Sequence, residues 1–143
     1  MKHRLLLTIL TPEKAVLTNE EVDFVAIPAV GGEMGVLPGH ISFVAQLKEG
    51  VLRYAEGHKR EIFAVFSGFA EIHKNKVVIL AEAAELSKEV DEERARQAYQ
   101  KAKEALVMRG KDLDMDAAQV ALKRAAVRLK IAEFRKKHRH PGA

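Results

Sequence analysis

The chain has 143 residues, no cysteine, a formal net charge of +4, 48% hydrophobic residues and 6% aromatic ones. That length allows one ordinary domain, or one compact domain with an appendage. The lack of cysteine excludes a disulfide framework, a thiolate zinc site and a cysteine nucleophile, and no apolar run approaches the roughly 20 residues of a membrane-spanning helix.

The first residues, Met1 to Leu7, are basic and then apolar. Thr8 and Pro12 interrupt the run and no small-residue cleavage site follows, so it reads as a strand rather than a signal peptide, in a soluble chain. Strands are expected over residues 5–11, 21–27, 41–47, 51–55, 61–66, 69–73 and 77–81, short runs of Val, Ile, Phe and Leu that suit a half-buried pleated surface. Thr11-Pro12, Pro28, Gly50, Glu56-Gly57-His58, Ser67-Gly68 and Lys74-Asn75-Lys76 divide them. Many short strands with tight turns point to a sandwich or small barrel. Several runs are apolar on both faces, which predicts an outer surface covered by a partner.

Between the second and third of these strands lies G-G-E-M-G-V-L-P-G-H, residues 31–40. Glycine permits positive φ and proline fixes φ, so the segment reads as a loop of specified shape presenting Glu33, Met34, Val36 and Leu37. A phosphate cradle would need a helix opening behind it and a Lys-Ser/Thr pair, and neither follows.

From Asp91 the period becomes helical, with Ala95, Ala98, Tyr99, Ala102 and Leu106 on one stripe. Asp91 suits the N-cap, and Glu92 and Glu93 suit the positive end of the helix dipole. Arg109-Gly110 is the stop signal, Lys111 to Asp116 a polar connector, and Asp114 or Asp116 the next cap. The second helix is expected to run to about Lys137, with Ala118, Leu122, Ala125, Leu129 and Ala132 as its apolar stripe. The expected division is therefore a β domain, 1–86, and an antiparallel helical hairpin, 87–143. Alanine buries little area at about 25 cal/mol per Å², so the hairpin is expected to stand near balance between folded-down and extended arrangements.

Charge separates along the same boundary. Residues 1–86 carry 9 Lys/Arg and 11 Asp/Glu, whereas residues 87–143 carry 15 and 9. Arg124, Arg128 and Arg135 lie near one line of the last helix, and Lys123, Lys130 and Lys137 near a second. Such one-sided basicity predicts an acidic partner. No catalytic constellation stands out. The six histidines (3, 40, 58, 73, 138 and 140) lack metal-ligand spacing, Ser42 and Ser67 lack a His/Asp partner, and Glu33 has no second carboxylate nearby. The rival to a protein-binding part is a nucleic-acid-binding β-barrel with a basic helical arm. Against it, the few aromatics do not interleave with the basic residues.

Gly32-Glu33-Met34-Gly35 followed by Leu37-Pro38-Gly39-His40 resembles the G-E-x-G-x-x-P-G-H signature of the ε subunit of bacterial F-type ATP synthase, the δ subunit of mitochondria. Chain length and the order of elements resemble that family throughout. The resemblance implies an α+β chain: an N-terminal β-sandwich of about ten strands, then a two-helix hairpin. It implies a non-catalytic subunit of the rotating central stalk, without a required cofactor or metal, coupling proton flow to ATP synthesis. The sandwich would bind the γ subunit and rest on the c-ring through Glu33, Met34, Gly35, Val36 and His40. The last helix would meet an acidic segment of the catalytic β subunit through Lys123, Arg124, Arg128 and Lys130 and obstruct ATP hydrolysis. The implied location is the cytoplasmic face of a bacterial plasma membrane, peripheral, with no lipid insertion and no nucleic acid.

A second resemblance concerns Val90-Asp91-Glu92-Glu93-Arg94-Ala95, which looks like the I/L-D-x-x-R-A motif by which some bacterial ε subunits bind regulatory ATP. It implies a site made by Glu85, Asp91, Arg94, Arg124 and Arg128, with guanidinium groups from two helices clamping phosphates. Val90 replaces Ile or Leu, and Lys101 stands where such members can carry arginine. The alternative is that Asp91 caps a helix and Arg94 pairs with a neighbouring acid.

Overall fold

The computed structural model describes residues 3–108 and 114–138. The chain divides into two units, Met1–Leu86 and Ser87–Ala143.

The first unit contains eight strands among the described residues, fewer than the ten expected: β1 (Leu5–Leu10), β2 (Ala15–Val22), β3 (Phe24–Ala29), β4 (Gly32–Val36), β5 (Phe43–Leu47), β6 (Gly50–Glu56), β7 (Lys59–His73) and β8 (Lys76–Leu86). Leu5, Leu7 and Ile9 alternate into the core, each fully buried, as a period of two requires. Hydrogen bonding runs in the order β2-β1-β8-β7-β5-β3-β4, with β6 paired to both β3 and β7. β1 and β8 are parallel, Leu7 opposite Val77 and Ile9 opposite Ile79, whereas the other pairs are antiparallel.

A long β7 makes two layers from this one path. Its first half, up to Val65, pairs with β6, and its second half, from Gly68, pairs with β5. Between them Ser67 (φ 44) and Gly68 (φ 127) bend the strand without ending it. The expected turn at Ser67-Gly68 is thus a bend within one strand, whose register to β8 does not shift, and two predicted strands are one. The layers close over Val25, Ile27, Val36, Leu52, Phe63 and Val65 on one side and Leu7, Ile9, Leu47, Ile72, Val77 and Ile79 on the other. Each fully buried aliphatic or aromatic side chain contributes roughly 1.5–3 kcal/mol relative to exposure.

Two further differences matter. The expected strand 21–27 breaks at Asp23, whose Oδ1 accepts from Arg4 Nε at 3.1 Å and whose Oδ2 accepts from Gly57 N at 2.7 Å. Residues 15–20 form most of β2, a strand that among the described residues pairs with β1 alone. Its mixed polar composition gave no strand signal.

The second unit has a 3-10 turn at Ser87–Glu89, then α1 (Glu92–Met108) and α2 (Met115–His138). Asp91 caps α1, its Oδ1 accepting from Arg94 N at 3.1 Å, and Asp114 caps α2, accepting from Ala117 N at 3.0 Å. The expected stop at Arg109-Gly110 lies outside the described residues. Ala95, Ala102, Ala125 and Ala132 are buried as the stripes predict, but so are Val127 and Ile131, off the predicted stripe of α2. That helix therefore buries a broader face than alanine alone provides.

Candidate functional site

The segment 31–40 is only partly a loop. Gly32–Val36 is β4, laddered to β3 with Val25 opposite Val36, Ile27 opposite Met34 and Pro28 opposite Glu33. Val30 and Gly31 form the tip of this hairpin. Strand alternation then sorts the motif: Val36 is fully buried in the core and Met34 is half-buried against it, while Glu33 and Gly35 face outward. The Val36 side chain supports the strand rather than the surface. Gly35 is explained by close approach, since a Cβ there would lie 3.2 Å from the Phe24 ring.

Beyond β4 the chain turns at Leu37-Pro38-Gly39-His40, with His40 N donating to Leu37 O at 3.1 Å and Gly39 at φ 88. His40 Nδ1 lies 2.7 Å from Ile41 O. A carbonyl only accepts, so Nδ1 carries the proton. The turn is fastened to the β7–β8 connection: Gly39 N donates to Asn75 Oδ1 at 2.8 Å, and Ser42 Oγ lies 2.9 Å from His73 Nδ1. Ser42 thus has a histidine partner that the sequence reading missed. The bond ties the turn to the end of β7; among the described residues no acid completes a triad. Around this turn Val30, Leu37, Ile41, Phe43 and Val44 are exposed. A shallow groove beside Glu33 is lined by Val30, Gly31, Met34, Phe43 and Val44.

Glu33 is not alone either, because Arg53 Nη2 donates to its Oε1 at 2.8 Å. An apolar row also crosses the outer face of the sheet: Leu10 is opposite Leu80 and Leu80 opposite Phe69, which faces Gln46 on β5, while Val44 lies diagonally beyond, opposite Glu71. Leu80, Phe69 and Val44 are 49%, 53% and 66% exposed. Three such side chains adjacent on one surface form a patch that a partner commonly covers.

In the helical unit, Arg124 and Arg128 share one groove between α1 and α2, together with Ala98, Asp114, Asp116 and Val120. Lys123 and Lys130 are exposed on α2. Asp91 and Arg94 sit at the start of α1, with the Asp91 carboxylate engaged as the cap and the Arg94 side chain exposed. Glu85 lies on β8, in the other unit. Arg135, further along the continuous α2, has its guanidinium engaged by the turn before α1: its Nη1 donates to Ser87 O at 2.7 Å and Val90 O at 2.8 Å. Glu92 accepts from Lys136 and Arg96, each at 2.9 Å. The hydrogen bond from Lys136, with the charges of Lys136, Arg96 and Arg135, outweighs desolvation and holds the Glu92 carboxyl below its ordinary range.

Among the described residues, no group of three or more His, Asp or Glu side chains is placed to hold a metal, and no helix is long and apolar enough to cross a membrane.

Comparison with known proteins matches residues 4–87 to "ATP synthase, Delta/Epsilon chain, beta-sandwich domain" and residues 88–133 to "ATP synthase, Delta/Epsilon chain, long alpha-helix domain". The ATP synthase epsilon chain of Syntrophobacter fumaroxidans is 45% identical over 133 residues, 93% of this chain and 98% of that protein. That of Desulforamulus reducens is 43% identical over 127 residues, 89% of this chain and 96% of that protein. A chain in a structure of the Euglena gracilis mitochondrial ATP synthase, containing OSCP, F1 and c-ring, superposes with a TM-score of 0.82 at 27% identity, covering 93% of this chain and 83% of that one.

Proposed function

This chain belongs to the delta/epsilon chain family of ATP synthase, and from that premise we propose that it clasps the γ shaft, rests on the c-ring and restrains ATP hydrolysis with its helices. It is a non-catalytic subunit of the F-type central stalk. The observation that carries most of the proposal is the apolar stripe of Leu80, Phe69 and Val44, an outer sheet face suited to burial against γ. The β3–β4 hairpin, with outward Glu33 and the exposed Leu37 and Ile41 of the following turn, supports the ring contact. His40 lies beside them in the same turn.

Lys123, Arg124, Arg128 and Lys130 on α2 are the cations offered to the acidic segment of the catalytic β subunit. Regulatory ATP fits the same unit: Arg124 and Arg128 line one groove, and phosphates bound there would favour the closed hairpin through differential affinity. Asp91 and Arg94 of the same unit complete the proposed site. The subunit is held at the cytoplasmic face of a bacterial plasma membrane through the complex, without lipid insertion.

Reconstitution tests this. The full chain and residues 1–86 are added separately to an F-type ATPase stripped of the corresponding subunit. Both should restore coupling of hydrolysis to proton pumping, and only the full chain should inhibit hydrolysis, less so as salt rises. Equal inhibition by both forms, or no binding to γ, overturns the reading.

A further inference from the structure

The relation between Arg53 and Glu33 goes one step beyond the ring contact, and rests on it. The two side chains belong to different strands, β6 and β4, with β3 between them. Arg53 is registered opposite Ala26, and Glu33 opposite Pro28. Their 2.8 Å ion pair therefore crosses the outer face of β3, with the side chains 41% and 56% exposed.

The two strands are held unequally. β4 ends the strand order and, among the described residues, pairs with β3 alone. β6 is laddered on both sides at Arg53, to Ala26 of β3 and to Ile62 of β7. A carboxylate on an edge strand samples several rotamers, and ordering it on association weakens binding. A planar guanidinium based on a doubly paired strand fixes one carboxylate oxygen and narrows the positions open to the other.

We infer that Arg53 is a positioning residue for Glu33, pre-orienting its carboxylate for the ring. The ring meets a carboxylate already held in place, and Arg53 acts through that group rather than on the partner.

A double-mutant cycle on the full chain tests this. Dissociation constants for a purified γ–c-ring assembly are measured for the wild type, Arg53→Gln, Glu33→Gln and the double variant, with thermal midpoints confirming that all four fold alike. Glu33→Gln should weaken binding. Arg53→Gln should weaken it about two- to fivefold, the scale of one exposed charge pair, and should have no further effect once Glu33 is Gln. If Glu33→Gln weakens binding but Arg53→Gln leaves it unchanged or tighter, the positioning role is overturned and the Glu33 contact stands. Additive losses in the cycle also overturn it, since Arg53 then acts independently of the carboxylate. Normal binding by Glu33→Gln removes the ring-contact reading, and the inference with it.

Discussion

Arg135 donates to the carbonyl oxygen of Val90 at 2.8 Å, although the two residues lie 45 positions apart. The same nitrogen donates to Ser87 O, so one cation near the end of α2 satisfies two carbonyls of the turn that precedes α1. Replacing Arg135 by Gln should lower the stability of the helical unit by about 1.5–3 kcal/mol, the range for hydrogen bonds to charged groups. Thermal unfolding of the unit measures it. The exposed Lys123→Gln serves as comparator and should stay within about 0.5 kcal/mol of the parent.

Asp91 separates two roles that share one side chain. As the cap of α1 it accepts from Arg94 N; as a proposed ATP ligand it acts through its negative charge or its acceptors. Asn caps nearly as well as Asp, whereas Ala costs about 0.5–2 kcal/mol. Asp91→Ala should therefore destabilise α1, and Asp91→Asn should not. Titration with ATP then decides: an Asp91→Asn variant that is fully helical but alters the nucleotide response assigns the charge to the ligand. An unaltered response leaves Asp91 a cap alone.

What was legible in the sequence follows from how local each signal is. Leu5, Leu7 and Ile9 announce an inward face through their own alternation, and Asp91 and Asp114 announce helix starts through neighbouring amides. β4 was hidden because its glycines read as loop, although its ladder to β3 needs only a backbone, and a Cβ at Gly35 would press on the Phe24 ring. Glu33 was legible from its motif. Arg53, 20 positions away, was not, since only the pairing of β6 with β3 brings the two together. Arg135 keeps the place that helical spacing gives it on α2, but its capture by carbonyls 48 and 45 positions away was hidden for the same reason.

Gly68 shows how a steric collision outweighs backbone strain. It has φ 127, and a Cβ there would collide with the carbonyl oxygen of Leu80 on the paired strand. Gly68→Ala must part β7 from β8 at the bend that forms the second layer, and should cost about 3 kcal/mol or more. Gly57 also has positive φ, at 60, but nothing lies within 4 Å of its would-be Cβ. Gly57→Ala should cost only the left-handed strain of about 1–2 kcal/mol. Urea midpoints of the two variants should fall in that order, and the reverse order would refute the assignment of Gly68 to a close strand crossing.

Glu92 gives the helical unit a pH dependence whose sign is fixed by its partners. Its carboxyl titrates below the ordinary value of 4.5 because Lys136 hydrogen-bonds to it, with the charges of Lys136, Arg96 and Arg135 adding to the effect. A lowered folded-state value means that the unfolded chain takes up the proton first as pH falls. The stabilisation is complete above the unfolded value and disappears as pH drops from about 4.5 through the folded value. The melting temperature of α1 and α2 should fall across this acid window, less steeply in high salt because the pair is exposed. Glu92→Gln should flatten that part of the curve while lowering the plateau at neutral pH. Parallel curves for the variant and the parent would mean that Glu92 titrates alike in the folded and unfolded chains and that Lys136 contributes nothing through it.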